Sequence, residues 1–204
     1  AALATKLTSQ GVTEAWVSSL DGVLQRDISG INARTAETCA QHGVFKPIGV
    51  INPMLPRWQD DVERCATRHH MRGIRLHPNY HGYSLDDPRI VELLKLATGH
   101  KLFVQIVCAM EDERTQHPKM QVPVADISPL PKALTAALGT KLMLMNWPRL
   151  SGGKLTLSLF KDTPVMFDIS LLEGIAGIEG LLEELQLERL VFGSYAPVFY
   201  FDAA

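Results

Sequence analysis

Two polar residues in the apolar segment 73–77 have side chains suited to acid–base chemistry and anion binding. Arg75 and His77 lie two residues apart, so in a strand they point to one face, whereas Ile74 and Leu76 point to the other. The apolar pair suits a face of the sheet that is covered by helices. Arg75 and His77 would then lie on the opposite, inner face of the sheet. We predict His77 as a catalytic residue and Arg75 as a substrate-binding residue. A hydrogen-bonded core histidine is the alternative for His77.

A second histidine lies in the segment 77–83. His81 follows His77 by four residues, the spacing at which two side chains share one face of a helix. Pro78 and Gly82 disfavour a helix here, so we expect a strand end followed by a loop. We predict that His81 binds the substrate from this loop.

The charged segment 111–118 follows the apolar segment 101–108. It contains Glu111, Asp112 and His117, which can act as general acids or bases. Its Arg114 can pair with a substrate carboxylate or with one of these acids. We predict catalytic roles for the first three residues and a substrate-binding role for Arg114. A solvated surface segment is the alternative.

Three further apolar segments carry polar or aromatic residues at their ends. Asp168 interrupts the segment 165–169, and a buried carboxylate is costly unless it is paired. It is therefore either a catalytic group or the partner of an inward cation such as Arg75. We predict a catalytic role for Asp168, and substrate-binding roles for Asn146, Trp147 and Tyr195 at the ends of the other two segments.

The composition of the chain excludes several classes of protein. Its 204 residues include 20 Lys and Arg against 22 Asp and Glu, a formal net charge of −2 that provides no basic surface for nucleic acid or an anionic membrane. No apolar run approaches the roughly 20 residues of a membrane span. Three cysteines, Cys39, Cys65 and Cys108, lack the spacing of a disulfide framework or a zinc site. We expect a cytoplasmic protein.

Seven short apolar segments alternate with helical patterns, of which the clearest begins at Pro88 and ends at Gly99. The repeat averages roughly 30 residues, so eight units would make roughly 240, the size of a (β/α)8 barrel. We therefore predict an α/β fold of this type, with seven of the eight strands present in this chain. The predicted strands are residues 13–18, 45–52, 73–77, 101–108, 141–147, 165–169 and 190–193.

An open doubly wound sheet also alternates strands and helices, but it usually has a glycine-rich phosphate-binding turn after its first strand, and the sequence has none. The chain begins within a helical pattern and ends where an eighth helix would start. We expect residues 1–204 to form a single incomplete barrel domain that lacks its first strand and its last helix. In such a barrel the active site lies at the carboxyl ends of the strands. The predicted site residues would therefore meet at that open end of the barrel, which we call the mouth.

At these residues the chain resembles the amidohydrolase-related family of TIM-barrel metal-dependent hydrolases, which includes decarboxylases of the aminocarboxymuconate-semialdehyde type. The resemblance covers nearly the whole chain and is clearest over residues 73–88, 165–170 and 190–197, which look like the family's fourth, seventh and eighth strands. It implies a hydrolase, or a related C–C lyase, for a small carboxylate, lactone or amide substrate. The alternatives are a non-catalytic descendant that binds a ligand or partner, and an inactive fragment.

The resemblance also implies metal-ligand positions that this chain fills with other residues. The family has a His-x-His pair on a first strand, which is absent here. Its fifth-strand histidine falls at Val107 and Cys108, its sixth-strand histidine at Asn146 and its eighth-strand aspartate at Tyr195. A Zn²⁺ site needs three protein ligands, so we assign no metal ligand and expect no cofactor in this chain. We expect a divalent metal such as zinc only in a full-length protein. We also expect a small-molecule substrate and no nucleic-acid or membrane partner, and we leave a homo-oligomer open.

Overall fold

The computed structural model of the protein describes residues 2–111, 116–119, 121–147, 154–172, 177–194 and 196. Within these residues, none of the helices is long and apolar enough to cross a membrane. The strands are β1 (Ala15–Val17), β2 (Phe45–Val50), β3 (Gly73–Leu76), β4 (Phe103–Val107), β5 (Leu142–Met145), β6 (Met166–Asp168) and β7 (Leu190–Val191). The helices are α1 (Ala2–Ser9), α2 (Asp21–Leu24), α3 (Ile28–Ala40), α4 (Trp58–Thr67), α5 (Pro78–His81), α6 (Pro88–Gly99), α7 (Leu130–Ala136), α8 (Lys154–Leu159) and α9 (Gly177–Leu182).

The seven strands form one parallel sheet in which they lie side by side in chain order, from β1 to β7. A doubly wound sheet reverses its strand order at a switch point, and the described strands show no such reversal. Right-handed connections between successive parallel strands place every helix on the same side, so the sheet curls around its other face. The fold is therefore a (β/α)8 barrel with seven of its eight strands, as predicted.

Side chains alternate between the two faces of the strands, and the outer face packs against the helices. Ile74 and Leu76 of β3 are fully buried in this outer hydrophobic core, together with Val104 and Ile106 of β4 and Phe167 of β6. The residues between them, such as Arg75, point to the inner face. The alternation predicted for β3 is thus confirmed, and it repeats in neighbouring strands.

The helix that follows β3 along the sheet begins and ends where its sequence predicts. Asp87 precedes α6 and its carboxylate accepts a hydrogen bond from the backbone N–H of Arg89 at 2.9 Å. Pro88 occupies the first turn, where no N–H is needed. The buried face of α6 packs against β4.

The segment after β3 is a one-turn helix, α5, rather than the predicted loop. The backbone N–H of His81 donates to the carbonyl of His77 at 2.9 Å. Pro78 occupies the first position of the helix, and Gly82 ends it with a positive φ of 69°. The prediction that Pro78 and Gly82 exclude a helix was wrong, because proline is favoured at the first helical position and glycine just past the last.

Candidate active site

The first polar pair on the inner face joins β3 and β4. Arg75 and Gln105 are neighbours in the sheet register, and the Arg75 Nε donates to the Gln105 Oε1 at 2.8 Å. Gln105 is buried, so it fixes the guanidinium on the inner face near the carboxyl ends of the strands. Gln105 is a site residue that was not predicted. Like Asp168, it is a polar residue in a buried strand and therefore needs a partner, which is the signal that could have indicated it.

His77 lies at the carboxyl end of β3 with only 3% of its surface exposed. Burial lowers the pKa of its imidazole to about 3, and the neighbouring Arg75 and His81 act in the same direction. The ring is therefore neutral near pH 7. Its Nδ1 is buried and has no hydrogen-bond partner in the part of the chain that the structure describes. A buried nitrogen without a partner is unusual, and it marks a place where a polar ligand or water belongs.

His81 faces His77 from the end of α5, with 5.8 Å between the ring centroids. Its Nε2 lies 2.9 Å from the carbonyl oxygen of Gly22, which can only accept, so Nε2 carries the proton. Burial lowers the pKa of His81, and the hydrogen bond to Gly22 partly opposes this shift. Its Nδ1 is a second buried nitrogen with no partner among the described residues. The rings of His77 and His81 are thus both neutral, and they lie together just after the carboxyl end of β3.

Asp168 reaches this mouth from the end of β6 and is 2% exposed. Its Oδ1 accepts from the backbone N–H of Asn146 at 2.8 Å, and its Oδ2 lies 2.8 Å from the Ser170 Oγ. Burial raises the pKa of the Asp168 carboxyl, although these hydrogen bonds and the charge of Arg75 oppose the rise. The charge of Arg75 thus acts on both groups, lowering the pKa of His77 and opposing the rise in the pKa of Asp168.

Asn146 follows β5 with a left-handed backbone, at a φ of 55°. Its Nδ2 donates to the carbonyl of Ala109 at 2.6 Å, and its Oδ1 accepts from the Ser170 hydroxyl at 2.8 Å. Both amide atoms are thus used within the protein. Ser170 is a further residue of this site that was not predicted. Its partner Asp168 lies only two residues away, but its partner Asn146 lies at the end of another strand, which no local pattern indicates.

Trp147 is placed differently from the other predicted substrate-binding residues. It is 1% exposed, belongs to the outer hydrophobic core and packs against Phe167 with 4.7 Å between the ring centroids. Its indole N–H donates to the backbone carbonyl of Asp168 at 3.0 Å. Trp147 therefore packs within the outer hydrophobic core.

The charged segment after β4 contributes less to this arrangement. Glu111 is exposed, and its charge acts on Tyr80 of α5, whose pKa is raised mainly by burial. His117 is exposed, and its Nδ1 accepts from the backbone N–H of Lys119 at 3.2 Å. The other predicted residues of the site, Asp112, Arg114 and Tyr195, lie outside the described residues.

The described side chains at these strand ends do not fit a divalent metal. Among the described residues, no three His, Cys, Asp or Glu side chains are grouped so that they could hold a metal ion. Cys108 is fully buried in the outer core, and burial raises the pKa of its thiol away from the thiolate form that binds metals. The amide of Asn146 is occupied by Ala109 and Ser170. We therefore derive no step through a metal.

Gly193, just after β7, lies against the Asp168 carboxyl and provides a test of this packing. A Cβ at Gly193 would lie 2.7 Å from the Asp168 Oδ2 and 3.2 Å from the Ser170 Cβ. Because hydrogen bonds hold both neighbours, we expect Gly193→Ala to lower the free energy of unfolding by about 1–3 kcal/mol in urea denaturation.

Gly180→Ala is the matched control for this substitution. Gly180 lies in α9, and a Cβ there would meet nothing within 4 Å. Helix propensity predicts that this variant is about 0.5–1 kcal/mol more stable than the wild type. Equal unfolding free energies for the two variants would contradict the close contact between Gly193 and Asp168.

Comparisons with known proteins agree with this architecture. The crystal structure of 5-carboxyvanillate decarboxylase from Sphingomonas paucimobilis is similar with a TM-score of 0.71 and 16% identity, over 96% of this chain and 72% of that one. The 5-carboxyvanillate decarboxylase of Novosphingobium aromaticivorans, complexed with manganese and 4-hydroxy-3-methoxy-5-nitrobenzoic acid, has a TM-score of 0.75 and 13% identity over 99% and 72% of the two chains. The 2,6-dihydroxybenzoate decarboxylase from Rhizobium has a TM-score of 0.68 and 12% identity over 98% and 78%.

These identities are low, so the structural likeness establishes the fold alone. A comparison with curated protein sequences finds no match. The family model for amidohydrolases, in contrast, matches residues 13–203, which is nearly the whole chain. That match and the barrel agree with the resemblance drawn from the residues, and the chain therefore belongs to the amidohydrolase family.

Proposed function

We propose that the protein is a C–C lyase of the decarboxylase type that acts on a small carboxylate. The observation that carries this proposal is that Arg75 and His77, at the end of β3, and Asp168, at the end of β6, all lie at the carboxyl ends of parallel strands of one sheet, where barrels of this kind place their active sites. The three structural neighbours described above, which are decarboxylases of substituted benzoates, support it.

The inner-face pair provides the means to bind the substrate. A guanidinium presents a planar set of N–H donors that matches a carboxylate, and Gln105 holds one edge of the Arg75 guanidinium in place. A bound carboxylate would lie beside the neutral His77 ring, whose nitrogens can hydrogen-bond to it without adding charge. We therefore assign Arg75 as the carboxylate-binding residue and His77 as a hydrogen-bonding residue of the site.

The protonation states favour a lyase over a hydrolase. Hydrolysis needs a base that takes a proton from water, and an imidazole with a pKa of about 3 does this poorly near neutral pH. In decarboxylation the C–C bond breaks, CO2 leaves and the electron pair stays on carbon, where it takes up a proton to form a C–H bond. That reaction needs an acid that still holds its proton. Burial raises the pKa of Asp168 in the required direction.

A non-catalytic binding protein is the second candidate function. It is favoured by Asn146 and Cys108, which stand where the family carries histidines, because each amide atom of Asn146 has a hydrogen-bond partner within the protein and Cys108 lies in the outer core. Such a protein would bind the same carboxylates and leave them unchanged.

Incubation with a panel of compounds distinguishes these candidates. The panel contains 5-carboxyvanillate, 2,6-dihydroxybenzoate, an aryl lactone and an aryl amide, each with and without added Mn²⁺ or Zn²⁺ after chelation. We expect CO2 release from at least one carboxylate, measured together with the decarboxylated product by chromatography. Hydrolysis of the lactone or amide alone would overturn the lyase proposal, and binding without turnover would favour the second candidate.

Variants connect that turnover to the proposed site. General acid–base and hydrogen-bonding residues typically contribute about 10²–10⁴-fold, so we expect His77→Phe to reduce turnover by at least about 10²-fold. His100→Gln is the control, because His100 is the C-cap residue of α6 and precedes the amino end of β4, whereas His77 lies at the carboxyl end of β3. Its turnover should equal that of the wild type.

A further inference from the structure

We propose that Asp168 is a neutral carboxylic acid in the native protein at neutral pH, and that Ser170 and Asn146 are the positioning residues that keep its proton on Oδ2. The proposal rests on the directions of three hydrogen bonds at the end of β6. It concerns the protonation state of the protein alone. Only the use of that proton in catalysis rests on the proposed function.

The side chain of Asn146 fixes the first of these hydrogen-bond directions. Its side-chain amide lies 2.6 Å from the carbonyl oxygen of Ala109, which can only accept a hydrogen bond. The amide nitrogen must therefore face Ala109, because the flipped amide would bring two acceptor oxygens together at that distance. The Asn146 Oδ1 consequently faces Ser170 as an acceptor.

Ser170 then determines the state of Asp168. Its Oγ lies 2.8 Å from the Asn146 Oδ1 and also 2.8 Å from the Asp168 Oδ2, yet a hydroxyl has a single hydrogen. The Asn146 Oδ1 cannot donate, so the hydroxyl donates to it. The contact with Asp168 is then a hydrogen bond only if Oδ2 carries a proton and donates it to the Ser170 Oγ.

An ionised Asp168 would leave one of these two short contacts without a hydrogen. Two acceptor oxygens would then face each other at 2.8 Å around a carboxyl group that is almost completely buried. An unmade hydrogen bond at a buried charge is costly. The neutral acid satisfies every contact in the chain from Asp168 through Ser170 and Asn146 to Ala109.

The charged and titratable groups that act on Asp168 come from β3 and from the end of β4. The backbone N–H groups of Asn146 and Ser170 and the charge of Arg75 favour the ionised form. A hydrogen bond donated by the Ser170 hydroxyl to Asp168 would also favour the ionised form, but the directions above use that hydrogen at Asn146. Cys108, after β4, is a neutral buried thiol. Burial of Asp168 is the largest influence and favours the neutral form. The pKa of Asp168 is raised, which is the direction that the proposed hydrogen bonds require. A neutral Asp168 can donate a proton but cannot accept one as a base.

Isotope-edited infrared spectroscopy tests the protonation state directly. With aspartate labelled by ¹³C, we expect the native protein at pH 7 to show the C=O band of a protonated carboxyl, and we expect Asp168→Asn to lose it. Asp61→Asn is the control, because Asp61 is also buried but is paired with Arg64 at 2.6 Å. Absence of the band from the wild type, or its persistence in Asp168→Asn, would overturn the proposal.

Unfolding as a function of pH gives a second readout. A raised native pKa means that the stability contributed by neutral Asp168 is complete below the unfolded-state pKa and is lost as the pH rises through the native pKa. Asn at position 168 can accept from Asn146 and donate to Ser170 without titrating. We therefore expect the urea midpoint of Asp168→Asn to rise relative to the wild type as pH increases. A difference that is constant with pH, or that moves the other way, would overturn the proposal.

Discussion

Replacement of Arg75 by methionine is expected to weaken benzoate binding by about 30-fold or more, which corresponds to a loss of about 2–5 kcal/mol. The proposed role of Arg75 is to bind the carboxylate through charge-assisted hydrogen bonds at a mouth shielded by the barrel walls. Methionine keeps much of the side-chain volume and removes the charge and all the N–H donors. A neutral Asp168 adds no negative charge that would repel the ligand. Isothermal titration with benzoate measures the change.

Arg72→Met is the matched control for this substitution. Arg72 precedes β3 at the amino end of the strand, where its guanidinium binds Glu14 at 2.9 Å and is largely exposed. The two substitutions are chemically identical and lie three residues apart, but at opposite ends of the same strand. We expect Arg72→Met to bind benzoate as the wild type does. Equal affinities for the two variants would refute the role assigned to Arg75.

Arg75→Lys separates charge from geometry. Lysine retains the positive charge but cannot present the paired N–H donors of a guanidinium, and it loses the arrangement in which Gln105 orients Nε. We expect an affinity between those of the wild type and Arg75→Met. Thermal unfolding of all the variants must accompany the titrations, because removal of the guanidinium leaves the buried Gln105 without its partner.

The strands β4 and β5 could be predicted because most of their residues are buried, which gives largely apolar runs in the sequence. Residues 101–108 predict β4, which spans Phe103–Val107, and residues 141–147 predict β5, which spans Leu142–Met145. The predicted strands are longer than the observed ones because apolar residues continue beyond the residues that pair in the sheet. After β5, Asn146 turns the backbone to a positive φ while Trp147 continues into the core.

Site residues could be predicted only where the residue pattern within a single strand was sufficient. The alternation within β3 predicts the inward position of Arg75. Gln105 and Ser170 depend instead on contacts between strands about 25–30 residues apart, and a single sequence contains no local sign of that register. The helix α5 was missed for a different reason, because Pro78 and Gly82 suit the ends of a helix as well as a loop.

Trp147 shows that an aromatic residue beside a strand end can belong either to the mouth or to the outer hydrophobic core. Its position after Asn146 predicts a residue of the mouth, yet the ring lies in the outer core on Phe167. These two positions predict different consequences of substitution. A core position affects the free energy of unfolding, whereas a substrate-binding position affects the affinity for benzoate.

We therefore expect Trp147→Ala to lower the free energy of unfolding by about 3–5 kcal/mol, the usual cost of removing a large buried aromatic side chain. Trp147→Phe should cost much less, because it keeps most of the ring contact with Phe167 and loses mainly the indole hydrogen bond to the Asp168 carbonyl. Urea denaturation measures both, with Trp16→Ala, on the half-buried strand β1, as the control of lower cost.

Benzoate binding by Trp147→Phe then decides between the two positions. If Trp147 is a core residue, this variant should bind benzoate with nearly the wild-type affinity, since Arg75 and His77 remain in place on the inner face. A folded Trp147→Phe protein that bound benzoate as weakly as Arg75→Met would instead return Trp147 to the mouth. That outcome would require the segment just after β5 to turn inward, against the hydrogen bond from the Trp147 indole to the Asp168 carbonyl.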